Sequence, residues 1–107
     1  MKTILTHTLL AVVLIAGPAC ASGNAEAGKA KSTTCAGCHG PDGNSPSPMF
    51  PKLAGQHPDY LEQALKSYKS GKRKNAIMNG QAANLSEQDM ADLAEFFGKQ
   101  KGLSTKY

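Results

Sequence analysis

The sequence predicts an all-α protein. Apolar residues recur at helical spacing in three stretches, no stretch alternates as a strand does, and loops rich in Gly and Pro separate the three. The first helix is expected to run from about Asn24, a good N-cap with Glu26 in the first turn, to His39. Its small residues, Ala25, Ala27, Gly28 and Ala30, suit a close crossing with another helix. The second opens with Pro58 in its first turn and places Tyr60, Leu61, Ala64, Leu65 and Tyr68 on one face. Glu62, Lys66 and Lys69 are left toward water, and Gly71 ends the segment. The third begins after Ser86, an N-cap with Asp89 three residues on, and carries Leu93, Ala94 and Phe97 as an apolar stripe that Gly98 or Gly102 can close. Met90 sits inside it as core filler. Residues 40–55 hold Pro41, Pro46, Pro48 and Pro51 among Gly, Ser and Asn, which is loop chemistry. A loop of that length in a small domain usually serves a site.

Residues 1–21 read as a secretory signal that is removed, leaving residues 22–107 as one domain with a frayed end from Ser104 to Tyr107. Lys2 supplies the positive region, residues 9–15 the apolar region, and Ala19-Cys20-Ala21 the small-residue cleavage site. The apolar stretch is too short to span a bilayer, and Gly17 and Pro18 interrupt it. Cys20 raises a second processing route, lipidation as the first residue of a lipoprotein, but Ala16-Gly17-Pro18-Ala19 lacks the usual leucine and contains a proline. The expected destination is an exported, oxidising compartment, the periplasm.

The chain has 12 basic and 8 acidic residues, so loss of Lys2 brings the polypeptide from +4 to +3. That is too weak a bias for general nucleic-acid binding. The basic residues cluster instead as Lys66, Lys69, Lys72, Arg73 and Lys74, either a solvated helix face or a docking patch for an acidic protein partner.

The chemistry lies in Cys35-Ala36-Gly37-Cys38-His39, the attachment pattern of a c-type haem. Two thiols add across the haem vinyl groups, and the adjacent imidazole of His39 binds the iron axially. For the sixth position Met78 is the expected ligand. It lies in the segment 75–80, read as irregular, where a loop can bring a thioether over the far face of the ring. A Met/His pair raises the potential and closes the iron to substrate. Met49 and His57 are the competing donors; flanking prolines restrict the reach of Met49, and His57 precedes a helix start. The second ring N–H of a ligating histidine usually donates to a carbonyl, for which the loop carrying Pro51 is the natural source. A structural zinc site would have only Cys35, Cys38, His39 and His57, two of them sequence neighbours, and a thioredoxin-like pair lacks its β-α-β surround. The chain has no tryptophan and few large aliphatics, so a haem would supply missing core.

These residues carry a resemblance. Cys35-Ala-Gly-Cys-His-Gly, Asp42-Gly43-Asn44-Ser45, Phe50-Pro51-Lys52-Leu53-Ala54-Gly55-Gln56, Tyr60-Leu61, Ile77-Met78-Asn79-Gly80, and Leu85-Ser86 leading into Asp92-Leu93-Ala94-Glu95-Phe96-Phe97 resemble the class I c-type cytochromes. The closest types are the small single-haem c-553 cytochromes and each half of the di-haem cytochrome c4. The resemblance implies three main helices and loops wrapped around one covalently attached haem, with His39 and Met78 axial and the Pro51 carbonyl holding His39. It also implies that the first and last helices cross at Gly28. The expected function is single-electron transfer between respiratory complexes or periplasmic redox enzymes by a non-enzymatic monomer. The alternative is a haem enzyme or gas sensor with a displaceable sixth ligand. A single attachment motif implies one haem.

Overall fold

The computed structural model describes residues 11–15 and 22–103. Most of the expected signal, Cys20 and the tail from residue 104 lie outside the described residues. Five helices form: α1 (Ala25–Lys31), α2 (Thr33–His39), α3 (Pro58–Ser70), α4 (Ala76–Ala82) and α5 (Glu87–Gly98). There is no strand among the described residues, and no helix among them is long and apolar enough to cross a membrane.

Helix α5 is the centre. It packs against α1 and α3, and buries Met90, Ala91, Asp92, Leu93, Ala94, Phe96 and Phe97, so it is covered on more than one face. Its start is fixed by a full capping box in which the Ser86 hydroxyl accepts from the Asp89 amide and the Asp89 carboxylate accepts from the Ser86 amide. Leu61 joins Leu93, Ala94, Phe96 and Phe97 in the core, and Cys35, Leu53, Leu65 and Leu85 pack against that cluster. Gly98 is the last residue of α5. A Cβ there would fall 2.7 Å from Pro58 Cγ, so the glycine lets the first turn of α3 sit against the end of α5.

The first expected helix is two. At Ser32 the amide bonds back to the Lys29 carbonyl at 3.2 Å and the hydroxyl takes the same oxygen at 2.8 Å. A hydroxyl competing for a helix carbonyl breaks the regular ladder, and α2 begins afresh at Thr33. Asn24 caps α1 through the Ala27 amide, as expected. Helix α3 ends at Gly71, whose φ of 78° is left-handed. Its expected apolar face is corrected at one position: Tyr60 is 51% exposed. It stands 100° around the helix from buried Leu61, at the edge of the stripe that Ala64, Leu65 and Tyr68 continue.

A charged group inside the α1/α5 junction was not expected from the sequence. Asp92 is 2% exposed and accepts from the Asn24 amide at 2.7 Å, Lys31 Nζ at 2.6 Å and Gln88 Nε2 at 2.8 Å. Lys31 also pairs with Asp89 at 2.8 Å. The Lys31 ammonium, with the Asn24 amide and Gln88, holds the Asp92 carboxyl below the usual carboxylate range. The same ammonium and the Ser86 donors bring Asp89 to about 2. Carboxylates depressed in the folded state add stability that is complete above their unfolded value near 4 and disappears as pH falls toward the folded value. Asp92→Asn is therefore expected to lower the melting temperature at pH 7 and to flatten its fall as pH drops below about 4. Melts across that range check this; a variant as stable as the wild type at pH 7 would show that the buried carboxylate contributes nothing net.

Candidate haem site

At 100° per residue, Cys35, Cys38 and His39 fall within about a quarter turn of one another on α2, and Gly37 lies opposite. Both cysteines are free and half-buried. Burial pushes the Cys35 thiol up, with a hydrogen bond to Thr34 opposing it and nearby Cys38 adding to it. His39 is 6% exposed. Its Nδ1 lies 2.8 Å from the Pro51 carbonyl oxygen, and because a carbonyl only accepts, the ring N–H must donate there. That tautomer leaves the Nε2 lone pair for a metal. The Phe50 ring meets His39 edge-on, with centroids 6.5 Å apart, and restricts its rotation.

The loop that delivers Pro51 is itself fastened. The Gly43 carbonyl accepts from Leu53 at 2.8 Å and Ala54 at 3.2 Å, and Gly55 donates to Phe97 at the end of α5. Gly43 has φ 82°, and a Cβ there would fall 2.8 Å from both the Ala54 amide and the Phe97 ring, so only glycine lets the loop close on the core. Ser45 adds a bond from its hydroxyl to the Cys38 carbonyl at 3.3 Å.

Met78 lies on a helix, which corrects the irregular segment expected there. Asn75 caps α4 by accepting from the Met78 amide at 3.0 Å, and Asn79 Oδ1 accepts from the Asn75 amide at 2.9 Å. These paired asparagines hold one short helix together despite Gly80 inside it. Met78 is half-buried. The competing donors lie outside such a setting: Met49 is 83% exposed in its loop, His57 is exposed at the N-cap of α3, and Met90 is buried in the core.

Helices α2 and α4 are attached to different parts of the scaffold. The first packs on α1, the second on α3, and they make no contact with each other. The set is therefore two thiols one helical turn apart, a tautomerically fixed imidazole next to them, and a thioether on a separate helix. This donor chemistry fits a covalent haem. No cluster of three or more His, Cys, Asp or Glu side chains suited to a metal ion occurs among the described residues.

The basic cluster is partly engaged locally. Lys66 pairs with Glu62 at 2.6 Å, Lys69 Nζ donates to the Leu85 carbonyl, and the Arg73 guanidinium lies 4.9 Å over the Tyr68 ring. Lys72 and Lys74 are exposed. Sequence reading missed Asn75, Asn79 and Asp92. An asparagine three residues before Met78 is a cap signal, and an acid inside Met90-Ala91-Asp92-Leu93-Ala94 is a charge placed where a buried face should run.

Residues 25–101 match the family Cytochrome c. Cytochrome c4 of Pseudomonas aeruginosa is 50% identical over 94 residues, covering 88% of this chain and 47% of the relative. Cytochrome c-554(548) of Halomonas halodenitrificans is 42% identical over 83 residues, covering 75% of this chain and 100% of the relative. The crystal structure of reduced recombinant cytochrome c4 from Pseudomonas stutzeri superposes with a TM-score of 0.73 at 46% identity, over 77% of this chain and 48% of that one. The chain thus spans about half the length of the cytochrome c4 relatives and the whole length of a smaller one. With its all-helical class I fold, and the cysteine pair and histidine on α2, the chain belongs to the cytochrome c family of covalent haem c electron-transfer proteins.

Proposed function

We propose that the chain is an exported, periplasmic one-electron carrier with a single haem c in His/Met ligation. The observation that supports this reading is that the two expected donors lie on separately anchored helices, His39 on α2 and Met78 on α4. When bound, the haem supplies an iron that alternates between ferrous and ferric states and so holds one electron. Cys35 and Cys38 tether it, and His39 offers Nε2 while the Pro51 carbonyl fixes its ring. The Met78 thioether fills the remaining position and keeps substrates off the iron, so the polypeptide conducts electrons without catalysing a reaction of its own. Residues 1–21 direct export, and residues 22–107 form the working domain.

The test is the haem-loaded protein. Haem stain is expected to stay with the chain on a denaturing gel, and the oxidised protein should show the sulfur-to-iron charge-transfer band at the red end of the visible spectrum. Colour that leaves the chain would remove the covalent attachment. A spectrum without the band would remove Met78 as ligand.

Partner docking is proposed for the face bearing Lys72 and Lys74, with Lys66, Lys69 and Arg73 beside them. Their charge suits an acidic redox protein. Reversing Lys72 and Lys74 to Glu is expected to slow electron exchange with such a partner severalfold at low salt, and the difference should fade as salt screens the pair. Stopped-flow rates across ionic strength check it; rates indifferent to both salt and reversal would dismiss the patch.

A further inference from the structure

Both Nδ2 protons and the Oδ1 of Asn79 are bonded to backbone, linking the end of α3 to the start of α4. Its Nδ2 donates to the Tyr68 carbonyl at 2.8 Å and the Arg73 carbonyl at 2.9 Å, while its Oδ1 accepts from the Asn75 amide at 2.9 Å. The assignment of nitrogen and oxygen is forced, because the two carbonyls can only accept and the amide can only donate. Tyr68 lies in the last turn of α3, and its carbonyl also accepts from the Gly71 amide at 3.2 Å. Backbone bonds from Gly71 to Tyr68 and from Arg73 to Ser67 close the end of α3, and the Asn79 side chain links that end and the turn at Arg73 to the N-cap residue of α4. Asn75 in turn accepts from the amide of Met78 itself at 3.0 Å.

This arrangement bears on the site because α4 packs on α3 and on no other helix. Ile77 on α4 is 58% exposed, so burial of that neighbour does little to seat the helix. Ala82, at the far end of α4, is fully buried, and at the Met78 end the hydrogen bonds that tie α4 to α3 are those of the Asn79 side chain.

We propose that Asn79 is the positioning residue for the Met78 thioether: through its bonds to Tyr68, Arg73 and Asn75 it sets where α4 presents that sulfur and how often it withdraws. The inference rests on the reading of Met78 as iron ligand. Asn79→Ala removes all three bonds. Asn79→Asp keeps an acceptor for the Asn75 amide but turns carboxylate oxygen toward two carbonyls, so it should be the more disruptive. Asn75→Ser retains an oxygen for the Met78 amide and is the conservative control.

The experiment uses haem-loaded protein and two readouts beside melting temperature: the rate at which carbon monoxide binds the reduced iron, and the pH at which the red-end band of the oxidised protein is lost. Carbon monoxide can bind only when the thioether withdraws, so its rate reports that event. Asn79→Ala is expected to bind it roughly tenfold faster, as loss of one or two net hydrogen bonds would give. It should also lose the band at lower pH, with Asn75→Ser close to wild type. A wild type with the band whose Asn79 variants bind carbon monoxide at the wild-type rate would overturn the proposal, even if their melting temperatures fell. A wild type without the band would instead overturn the ligand reading beneath it. If Asn79→Asp fails to assemble, Asn79→Ala carries the test.

Discussion

Gly28→Ala is expected to cost the fold more than any other single methyl group added to α1. A Cβ at Gly28 would lie 2.0 Å from the Asp92 carbonyl oxygen, 2.6 Å from its carbon and 2.8 Å from Phe96 Cβ. The first two are backbone of the central helix, so no side chain can rotate away and the helices must separate. Separation strains the bonds from the Asn24 amide and Lys31 to Asp92 at the same junction. It also lifts α1 from Phe96, part of the core that Cys35 packs against. Overpacking of this kind costs about 1–3 kcal/mol before those losses are added. In a domain this small, about 3 kcal/mol corresponds to a fall in melting temperature of more than about 10 °C. Gly37→Ala is the matched control, because a Cβ there meets nothing within 4 Å and points away from Cys35, Cys38 and His39 around α2. That substitution is expected to be neutral or to add up to about 1 kcal/mol through helix propensity. Thermal melts of the two haem-loaded variants decide it; equal stability would mean that the α1/α5 crossing is looser than these distances say.

The contrast between Gly28 and Gly80 shows what was legible in the chain. Gly28 stands among Ala25, Ala27 and Ala30, and a run of small residues on one helix announces a close approach before the partner is known. Gly80 stands between Asn79 and Gln81 in a stretch with little apolar periodicity, where a glycine argues against a helix. Helix α4 forms there because Asn75 caps it through the Met78 amide while Asn79 bonds the Asn75 amide and the end of α3, and a tertiary clamp leaves no periodic trace in sequence. The start of α5 was readable because its capping box is local, contained within Ser86 to Asp89. The break at Ser32 was not, since a serine is as compatible with a continuing helix as with a hydroxyl taking the Lys29 carbonyl. Asp92 shows the same limit. Its partners Asn24 and Lys31 are more than sixty positions away, and only the fold brings them to it.

Met78→Ala carries the largest expected effect on chemistry. On the proposed ligation, the thioether is a weak, neutral donor that favours the reduced iron, and alanine offers nothing in its place. No second donor is placed to substitute from the same helix: α4 otherwise carries Ala76, Ile77, Asn79, Gly80, Gln81 and Ala82. Met49 is displayed to solvent in the loop that fastens His39, and Met90 is locked in the core at 2% exposure. The oxidised variant should therefore lose the red-end band, and its potential should fall by a sizeable part of the roughly 0.8 V over which axial ligands set haem potentials. The reduced variant should bind carbon monoxide far faster than the wild type, since no withdrawal of sulfur precedes binding. Met49→Leu serves as the internal comparison and should leave potential, band and carbon monoxide rate unchanged, because that side chain is 83% exposed. Should Met49→Leu abolish the band while Met78→Ala preserves it, the sulfur would belong to the loop that carries Pro51, and α4 would have no part in ligation. Should neither substitution move the potential, the sixth position would be filled by a donor other than these two thioethers. The chain would then be better understood as a haem protein whose iron exchanges ligands than as a closed electron carrier.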